Sequence, residues 1–169
     1  GEAEVVIAGA IESMSQAPHV IRYDKMTDSF DEPTPIMLLD GLTDALSGKH
    51  MGLTAENVAE KFQIDRQEQD LFSLRSQLKA SVAQEKGYFD QEIWPIQAAG
   101  REIQKDEGIR PETSLKKLSG LKTAFKEGGT VTAGNASTIN DGAAAMILTS
   151  KRFAEEQGWP YLAVIKDIT

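Results

Sequence analysis

The feature that most constrains this chain is a pair of short apolar runs near its two ends, separated by a long polar stretch. The runs are residues 4–10 and 143–149. Unbroken apolar runs of this length are typical of strands buried on both faces, as in a parallel sheet; for residues 4–10 a buried helix segment is the alternative. A helix over 151–157 and a strand over 161–167 follow, so the outer parts predict an α/β core.

The middle of the chain, roughly residues 13–140, is richer in helix and loop signals, and we expect it to be an insertion into that core. Thr54 is expected to cap a first helix that carries Glu56 in its first turn, where the helix dipole favours an acid. Asp65 and Glu68 predict a capping box at the start of a second helix. Long excursions between core strands are commonly functional.

The second helix should present an apolar stripe, and weaker signals follow it. The side chains that recur at helical spacing are Leu71, Leu74, Leu78 and Val82. Gly87 is expected to end this helix. Residues 91–97 predict an edge strand, because Pro95 cannot donate to a ladder. Residues 98–130 are polar and contain glycines, which indicates a long loop or short turns.

Composition excludes several classes of function. The chain has 169 residues, 26 acids against 18 lysines and arginines, a net charge of −8 and a pI near 4.8. Such a surface does not favour nucleic acid or an anionic membrane. With no cysteine and only two histidines, disulfides, thiolate or multi-histidine metal sites and a cysteine nucleophile are excluded from this chain. It lacks a transmembrane run and a signal peptide, and β-like segments at both ends indicate an interior piece of a longer protein.

Residues 131–142 are the first candidate for chemistry. They form a run of small and turn-forming side chains directly before an apolar strand. Small side chains let a ligand approach the backbone, while asparagine, serine and threonine supply hydrogen bonds. A tight, glycine-assisted loop that binds nothing is the alternative.

Two further segments are candidates for ligand contact. Five cations lie between residues 110 and 127 against only two acids, which suits a small polyanion such as a phosphorylated cofactor. A solvated surface is the alternative. His50, followed by Met51, is a candidate for lining an apolar pocket, and a packed or exposed turn histidine is the alternative.

Several segments together resemble the thiolase family. The order and spacing match over the whole chain, and the His50–Met51 pair is similar to the short-chain biosynthetic type, the acetyl-CoA acetyltransferases. The matching segments are ESMS at 12–15 and APH at 17–19, DGLTD at 40–44, HMG at 50–52, TAENVA at 54–59, residues 67–70, and GTVTAGNAS at 129–137 with NDGAAA at 140–145.

The resemblance implies a fold and a domain organisation. Thiolases have two similar α/β halves in a five-layer αβαβα arrangement, with a mostly helical loop domain that is inserted in the first half and covers coenzyme A. By this resemblance residues 1–12 hold a strand of the first half, and residues 13–140 form the loop domain. Residues 141–159 return to the first half, and residues 160–169 begin the second.

The resemblance also implies a set of ligand contacts. Ser137 would hydrogen-bond the pantetheine, Arg110 would face the adenine nucleotide, and the basic segment would hold the 3′-phospho-ADP part. Lys117 departs from the family, because related enzymes often have a serine there. The residues implied to bind coenzyme A are Leu42, His50, Met51, Arg110, Phe125, Ala133, Ala136 and Ser137.

The activity implied for the intact protein is the reversible condensation of two acetyl-CoA into acetoacetyl-CoA. The family's nucleophilic cysteine, its histidine and its second cysteine all lie outside this sequence, so we predict no catalytic residue, no metal and no turnover for this chain alone. Acetyl-CoA, acetoacetyl-CoA and coenzyme A would be substrates rather than permanent cofactors. The family indicates a cytoplasmic homotetramer, or a dimer. A non-catalytic CoA- or acyl-binding module, a structural fragment and a degradative 3-ketoacyl-CoA thiolase are the alternatives.

Overall fold

The two apolar runs near the ends of the chain pair with each other. In the computed structural model, which describes residues 3–98 and 100–168, strand β1 (Val5–Ser13) is antiparallel to strand β8 (Asp141–Thr149). The register places Val5 opposite Thr149 and Ser13 opposite Asp141. Both strands were predicted, but burial on both faces of a parallel sheet is wrong for them. An apolar run indicates a strand suited to burial and does not specify the direction of its neighbour.

The described residues divide into two units. The outer unit comprises residues 3–16 and 140–168, and the middle unit comprises residues 17–139. In the outer unit, helix α4 (Lys151–Glu156) follows β8, and the hydroxyl of Ser150 accepts the Phe153 N–H at 3.1 Å as the predicted cap. The predicted strand over 161–167 is wrong, because residues 161–168 form no strand and make no ladder.

The middle unit begins with two small antiparallel pairs. A 3₁₀ turn (Met14–Gln16) precedes it, and a π-helical turn (Met37–Gly41) follows the pairs. The pairs are β2 (His19–Val20) with β5 (Thr34–Pro35), and β3 (Tyr23–Asp24) with β4 (Ser29–Phe30).

Two helices dominate the middle unit. Helix α1 (Met51–Phe62) starts three residues before the predicted cap, and helix α2 (Arg66–Glu85) starts where the capping box predicted. Asp65 accepts the Glu68 N–H at 2.8 Å, and the Glu68 carboxylate accepts the Asp65 N–H at 3.1 Å.

Short elements complete this unit. Strand β6 (Ile96–Ala98) pairs with β7 (Arg101–Ile103), and helix α3 (Leu115–Ser119) follows. The predicted edge strand over 91–97 is therefore mostly wrong, since the observed strand begins directly after Pro95. A strand and a helix also lie inside the stretch 98–130 that was predicted as loop or short turns.

The interior of the middle unit lies among α1, α2, α3 and residues 130–135. Buried apolar side chains are few and include Ala59, Leu118 and Val131. The predicted stripe on α2 is only partly covered, since Leu78 and Val82 are 47% and 45% exposed. Buried polar side chains join the apolar ones, and they are Glu56, Asp70, Ser81 and Thr132. Every helix among the described residues is too short or too polar to span a bilayer.

Candidate coenzyme A site

His50 is the N-cap of helix α1. Its backbone is extended, and its Nδ1 accepts the Gly52 N–H at 2.9 Å. The predicted cap, Thr54, is wrong, because the helix has already begun there. Since Nδ1 uses its lone pair for this bond, the neutral imidazole carries its proton on Nε2. His50 therefore holds the start of the helix with one nitrogen and keeps the other as a donor.

We call Leu42, His50, Met51 and Phe125 the His50 cluster, because a ring stack and a backbone hydrogen bond join them in pairs at the start of α1. The rings of His50 and Phe125 stack with centroids 4.7 Å apart and planes at 26°. The Met51 N–H donates to the Leu42 carbonyl at 2.8 Å. Gly52 makes the stack possible, because a Cβ there would lie 2.3 Å from the Phe125 ring. Phe125 is thus brought from a distant part of the sequence to the start of α1.

Asp44 organises the turn that leads into this cluster. Its carboxylate accepts the N–H groups of Leu46 and Ser47, both at 3.1 Å, and the Ser47 hydroxyl at 2.5 Å. These bonds, the Ser47 hydroxyl first, lower the pKa of Asp44 below its ordinary value. Gly48 supplies the left-handed backbone of the turn with φ of +65°. The turn returns the chain so that Thr43 forms a bridge with His50.

Residues 130–135, which we call the 130–135 loop, lie beside the segment that carries Phe125. Thr132 forms a β-bridge with Thr123, and the Ala124 N–H donates to the Val131 carbonyl at 2.9 Å. Ala133 follows directly and is exposed. The structure therefore brings together the TVTAGNAS segment, the His50–Met51 turn and part of the lysine-rich segment.

Asn135 closes the 130–135 loop on itself. Its Oδ1 accepts the Thr132 N–H at 2.7 Å, and its Nδ2 donates to the Thr130 carbonyl at 3.1 Å. Gly134 allows close packing here, because a Cβ would lie 2.5 Å from Leu121 and 2.6 Å from Leu118. These hydrogen bonds hold the loop in a closed conformation.

Helix α1 holds the 130–135 loop through Glu56. This side chain is 4% exposed, and its carboxylate accepts the N–H of Thr130 at 2.9 Å, the N–H of Val131 at 2.8 Å and the Thr130 hydroxyl at 2.9 Å. Burial raises the pKa of Glu56, but these bonds and the charge of Lys126 outweigh burial, so the net pKa is lowered. The carboxylate is a buried anion satisfied by the loop.

Helix α2 holds the same loop with two polar side chains. Asp70, which is 2% exposed, accepts Asn135 Nδ2 at 3.1 Å and pairs with Arg66 Nε at 2.9 Å. Gln69 Nε2 donates to the Thr130 hydroxyl at 2.9 Å. Arg66 Nη2 also donates to the carbonyls at the end of α3, with 2.7 Å to that of Leu118. Charge and hydrogen bonds thus connect α1, α2, α3 and the loop.

The remaining predicted contacts lie at different places in the middle unit. Ala136 is half-buried, and Ser137 is exposed with its hydroxyl 3.4 Å from the Thr138 carbonyl. The Arg110 N–H donates to Gln77 Oε1 at 2.8 Å, so Arg110 is tied to α2 about two turns beyond Asp70. Arg110 takes part in none of the contacts described above for the His50 cluster.

The lysines of the basic segment have partners of their own. Lys117 Nζ donates to the Glu112 carbonyl at 2.5 Å, and Lys126 Nζ pairs with Glu60 at 3.3 Å. Residues 122–127 line an open depression of about 550 Å³. Lys122 and Lys126, which are exposed, thus line this depression together with Phe125.

The polar residues that hold the loop were missed as functional residues by sequence reasoning. Glu56 was assigned to a helix dipole, and Gln69 and Asp70, which hold the loop from α2, received no role in the site. Asn135 sits in the segment singled out for ligand contact, and it contributes loop closure instead of an exposed amide. No local spacing joins Glu56 to Thr130, which are 74 residues apart.

Comparison with known proteins gives one consistent result. The model of the family "Thiolase, N-terminal domain" matches residues 1–152. A probable acetyl-CoA acyltransferase of Staphylococcus epidermidis is 48% identical over 98% of this chain and 44% of its own length, and one of Staphylococcus aureus is 46% identical over the same shares. The chain thus spans less than half the length of these curated relatives.

Comparison with solved structures gives the same family. Acetyl-CoA acetyltransferase from Syntrophomonas wolfei superposes with a TM-score of 0.85 at 41% identity, over 94% of this chain and 40% of that one. Human mitochondrial 3-ketoacyl-CoA thiolase, solved in complex with CoA, gives 0.84 at 40% identity, over 94% of this chain and 41% of that one.

The fold is therefore α/β and thiolase-like, as the resemblance implied. With the family model matching most of its residues, the chain belongs to the thiolase family and corresponds to part of its N-terminal domain.

Proposed function

We propose that this chain provides the coenzyme A-binding region of an acyltransferase that condenses two acetyl-CoA into acetoacetyl-CoA and also runs the thiolytic reverse. The observation that carries the proposal is the His50 cluster beside the 130–135 loop. His50 and Phe125 form an aromatic pair at a helix start, a backbone hydrogen bond joins Leu42 to Met51 there, and the loop lies next to the segment that carries Phe125. A thin pantetheine chain suits such a groove, because small side chains let it approach the backbone.

Different residues are proposed to contact different parts of coenzyme A. His50 Nε2–H and the Ser137 hydroxyl are donors for the amide and thioester oxygens of the pantetheine. Arg110 and the exposed lysines match the phosphates and the 3′-phospho-ADP part. Covalent acyl transfer needs an activated nucleophile, which this chain lacks, so that step belongs to other parts of the whole protein.

Binding of coenzyme A to the whole protein, measured by isothermal titration calorimetry, tests the proposal. Ser137→Ala should weaken binding by about 1 kcal/mol, the worth of one hydrogen bond. Arg110→Ala should lose most affinity at low salt, because its attraction to phosphate is screened at high salt. Lys61→Ala is the charge-matched control, because Lys61 lies at the other end of α1 from His50. Absence of coenzyme A binding, or equal losses for Arg110 and Lys61, contradicts the proposal.

A degradative 3-ketoacyl-CoA thiolase is a second candidate. The similarity to the human 3-ketoacyl-CoA thiolase favours it as much as the similarity to the acetyl-CoA acetyltransferase favours the first, with TM-scores of 0.84 and 0.85. Turnover of acetoacetyl-CoA against longer 3-ketoacyl-CoA by the whole protein separates the two. Preference for the long substrate would favour the degradative enzyme.

For the whole protein we also propose acetyl-CoA, acetoacetyl-CoA and coenzyme A as its ligands, a cytoplasmic location and a homotetramer. The domain boundaries at residues 12, 140 and 159 belong to the same proposal. Sedimentation of the purified whole protein tests the tetramer against the dimer.

A further inference from the structure

Helix α1 contacts both sides of the proposed groove. Its first residues belong to the His50 cluster, and Glu56, in its second turn, holds Thr130 and Val131. Ala133 follows this pair within the same loop. Helix α1 therefore links the His50 ring to the loop backbone, beside the Thr123–Thr132 bridge that joins the loop to the Phe125 segment.

We propose that Glu56 is a positioning residue for coenzyme A, which acts by holding the 130–135 loop at the correct distance from the His50 cluster without touching the ligand itself. This inference rests on the proposed function of these residues. Glu56 is not among the residues proposed to contact the ligand, and its buried carboxylate would position the loop as well as stabilise the interior.

The geometry favours a carboxylate at this position. Two of the groups that face Glu56 from the loop are backbone N–H groups, which only donate, and the third is the Thr130 hydroxyl, which donates to Glu56 and accepts from Gln69. A glutamine in the same place would turn an N–H toward the Thr130 N–H, whose nitrogen lies 2.9 Å from both carboxylate oxygens. The backbone also approaches so closely that a Cβ at Gly129 would lie 2.4 Å from Glu56 Oε1. We therefore expect Glu56→Gln to displace the loop backbone.

A stabilising role alone and a positioning role predict different results. If Glu56 only stabilises the unit, any change on α1 of equal cost should affect coenzyme A binding equally. If Glu56 positions the loop, its change should weaken binding more than its cost in stability explains. Ala59 offers the matched comparison, since it is buried on the same helix and does not contact the loop through hydrogen bonds.

The test compares Glu56→Gln with Ala59→Gly in the whole protein. Urea unfolding measures the stability of each variant, and calorimetry measures coenzyme A affinity under conditions where both are folded. We expect Glu56→Gln to weaken coenzyme A binding by about tenfold and Ala59→Gly by less than about twofold, at comparable losses of stability. Equal affinity for both variants, or losses that follow stability alone, overturns the inference.

A milder variant decides the matter if Glu56→Gln does not fold. Thr130→Val keeps the shape of the side chain and removes its hydroxyl bond to Glu56, and we expect about threefold weaker binding. Gln69→Ala removes the other bond to that hydroxyl and separates the two contributions. If the unchanged protein does not bind coenzyme A, the proposed function fails. If it binds and Thr130→Val binds equally well, the inference alone fails.

Discussion

The middle unit and the outer unit differ in what they bury. In the middle unit the most buried side chains include Glu56, Asp70 and Thr132, each satisfied by hydrogen bonds. In the outer unit the strands are apolar, yet large side chains such as Ile7 and Ile11 are 77% and 81% exposed. Large apolar side chains are exposed in both units, but among the described residues only the middle unit buries polar ones.

The difference shows that an apolar side chain is not necessarily buried and that a polar one is not necessarily exposed. The ladder between β1 and β8 satisfies the backbone of the outer unit, but a two-stranded ribbon is marginally stable without further packing. In the middle unit, specific polar contacts join segments that share few apolar side chains. We therefore expect changes in the middle unit to be strongly site-dependent and changes in the outer unit to be mild.

The largest expected effect is that of Asp70→Ala. Removing the buried Asp70 carboxylate takes away the acceptor of Arg66 Nε and one of the two acceptors of Asn135 Nδ2, which should cost about 3 kcal/mol. Hydrogen exchange at residues 130–135 measures the loss in the middle unit. Trp159 fluorescence in a Trp94→Phe background follows the outer unit, where we expect no change. Equal losses in both units would mean that they unfold as one.

Gly52→Ala should have the next largest effect. The new Cβ would lie 2.3 Å from the Phe125 ring, so the ring must leave His50, at a cost of about 1–3 kcal/mol and with weaker coenzyme A binding. Gly142→Ala on β8 is the control, because a Cβ there meets nothing within 4 Å. Unfolding in urea and calorimetry measure both variants. Wild-type affinity for Gly52→Ala would remove the His50–Phe125 stack from the site.

Lowering the pH should show how much the buried Glu56 carboxylate contributes to stability. The pKa of Glu56 in the folded chain is lowered from 4.5, so its contribution to stability is present above pH 4.5 and is lost as pH falls through the folded pKa. We expect the free energy of unfolding of the middle unit to decrease below pH 4.5, and Glu56→Gln to flatten that decrease. An unchanged pH profile in Glu56→Gln would contradict this assignment.

Asp141 is the matching carboxylate of the outer unit. The Ser15 hydroxyl and the Ser15 N–H, which is 2.9 Å from Asp141 Oδ1, lower the pKa of Asp141 from 3.8. The contribution of Asp141 to stability is therefore also lost as pH falls, but the loss starts at a lower pH than that of Glu56. Because Asp141 is exposed, the decrease should be smaller than that of Glu56. Asp141→Asn serves as the control in the same titration, followed by Trp159 fluorescence.

The smallest expected effect is that of Ser150→Ala. The Phe153 N–H loses its acceptor at the start of α4, which should cost about 1 kcal/mol. The Trp159 ring packs edge-on against Phe153 at 5.7 Å, so its fluorescence reports the change directly. Hydrogen exchange at residues 130–135 should stay as it was. A loss there would contradict the separation of the two units.

Local signals predicted the helix starts unevenly. The Asp65–Glu68 box and the Ser150 cap act over three residues, and both were found where the sequence placed them. Thr54 failed as a cap because His50, a less common cap, already accepts the Gly52 N–H. That choice depends on the stack with Phe125, which no local pattern contains.

The residues of the coenzyme A site stay a prediction from the resemblance to the thiolases. Among them the structure shows a stack of His50 on Phe125 and a backbone hydrogen bond from Met51 to Leu42. The resemblance offered no signal for Glu56 as a partner of the loop. Lys117 is tied to the Glu112 carbonyl, a contact that the departure from a serine did not indicate.

What the sequence by itself determined is the family, the existence of β1, β8, α2 and α4, and the residues at which α2 and α4 begin. Those features depend on side chains three or four positions apart or on long matching motifs. Only the tertiary structure decided that β1 and β8 run antiparallel and that Glu56 is buried against Thr130. The physical reason is distance along the chain: the direction of the strand pair and the burial of Glu56 depend on residues more than 70 positions apart, which local periodicity does not relate.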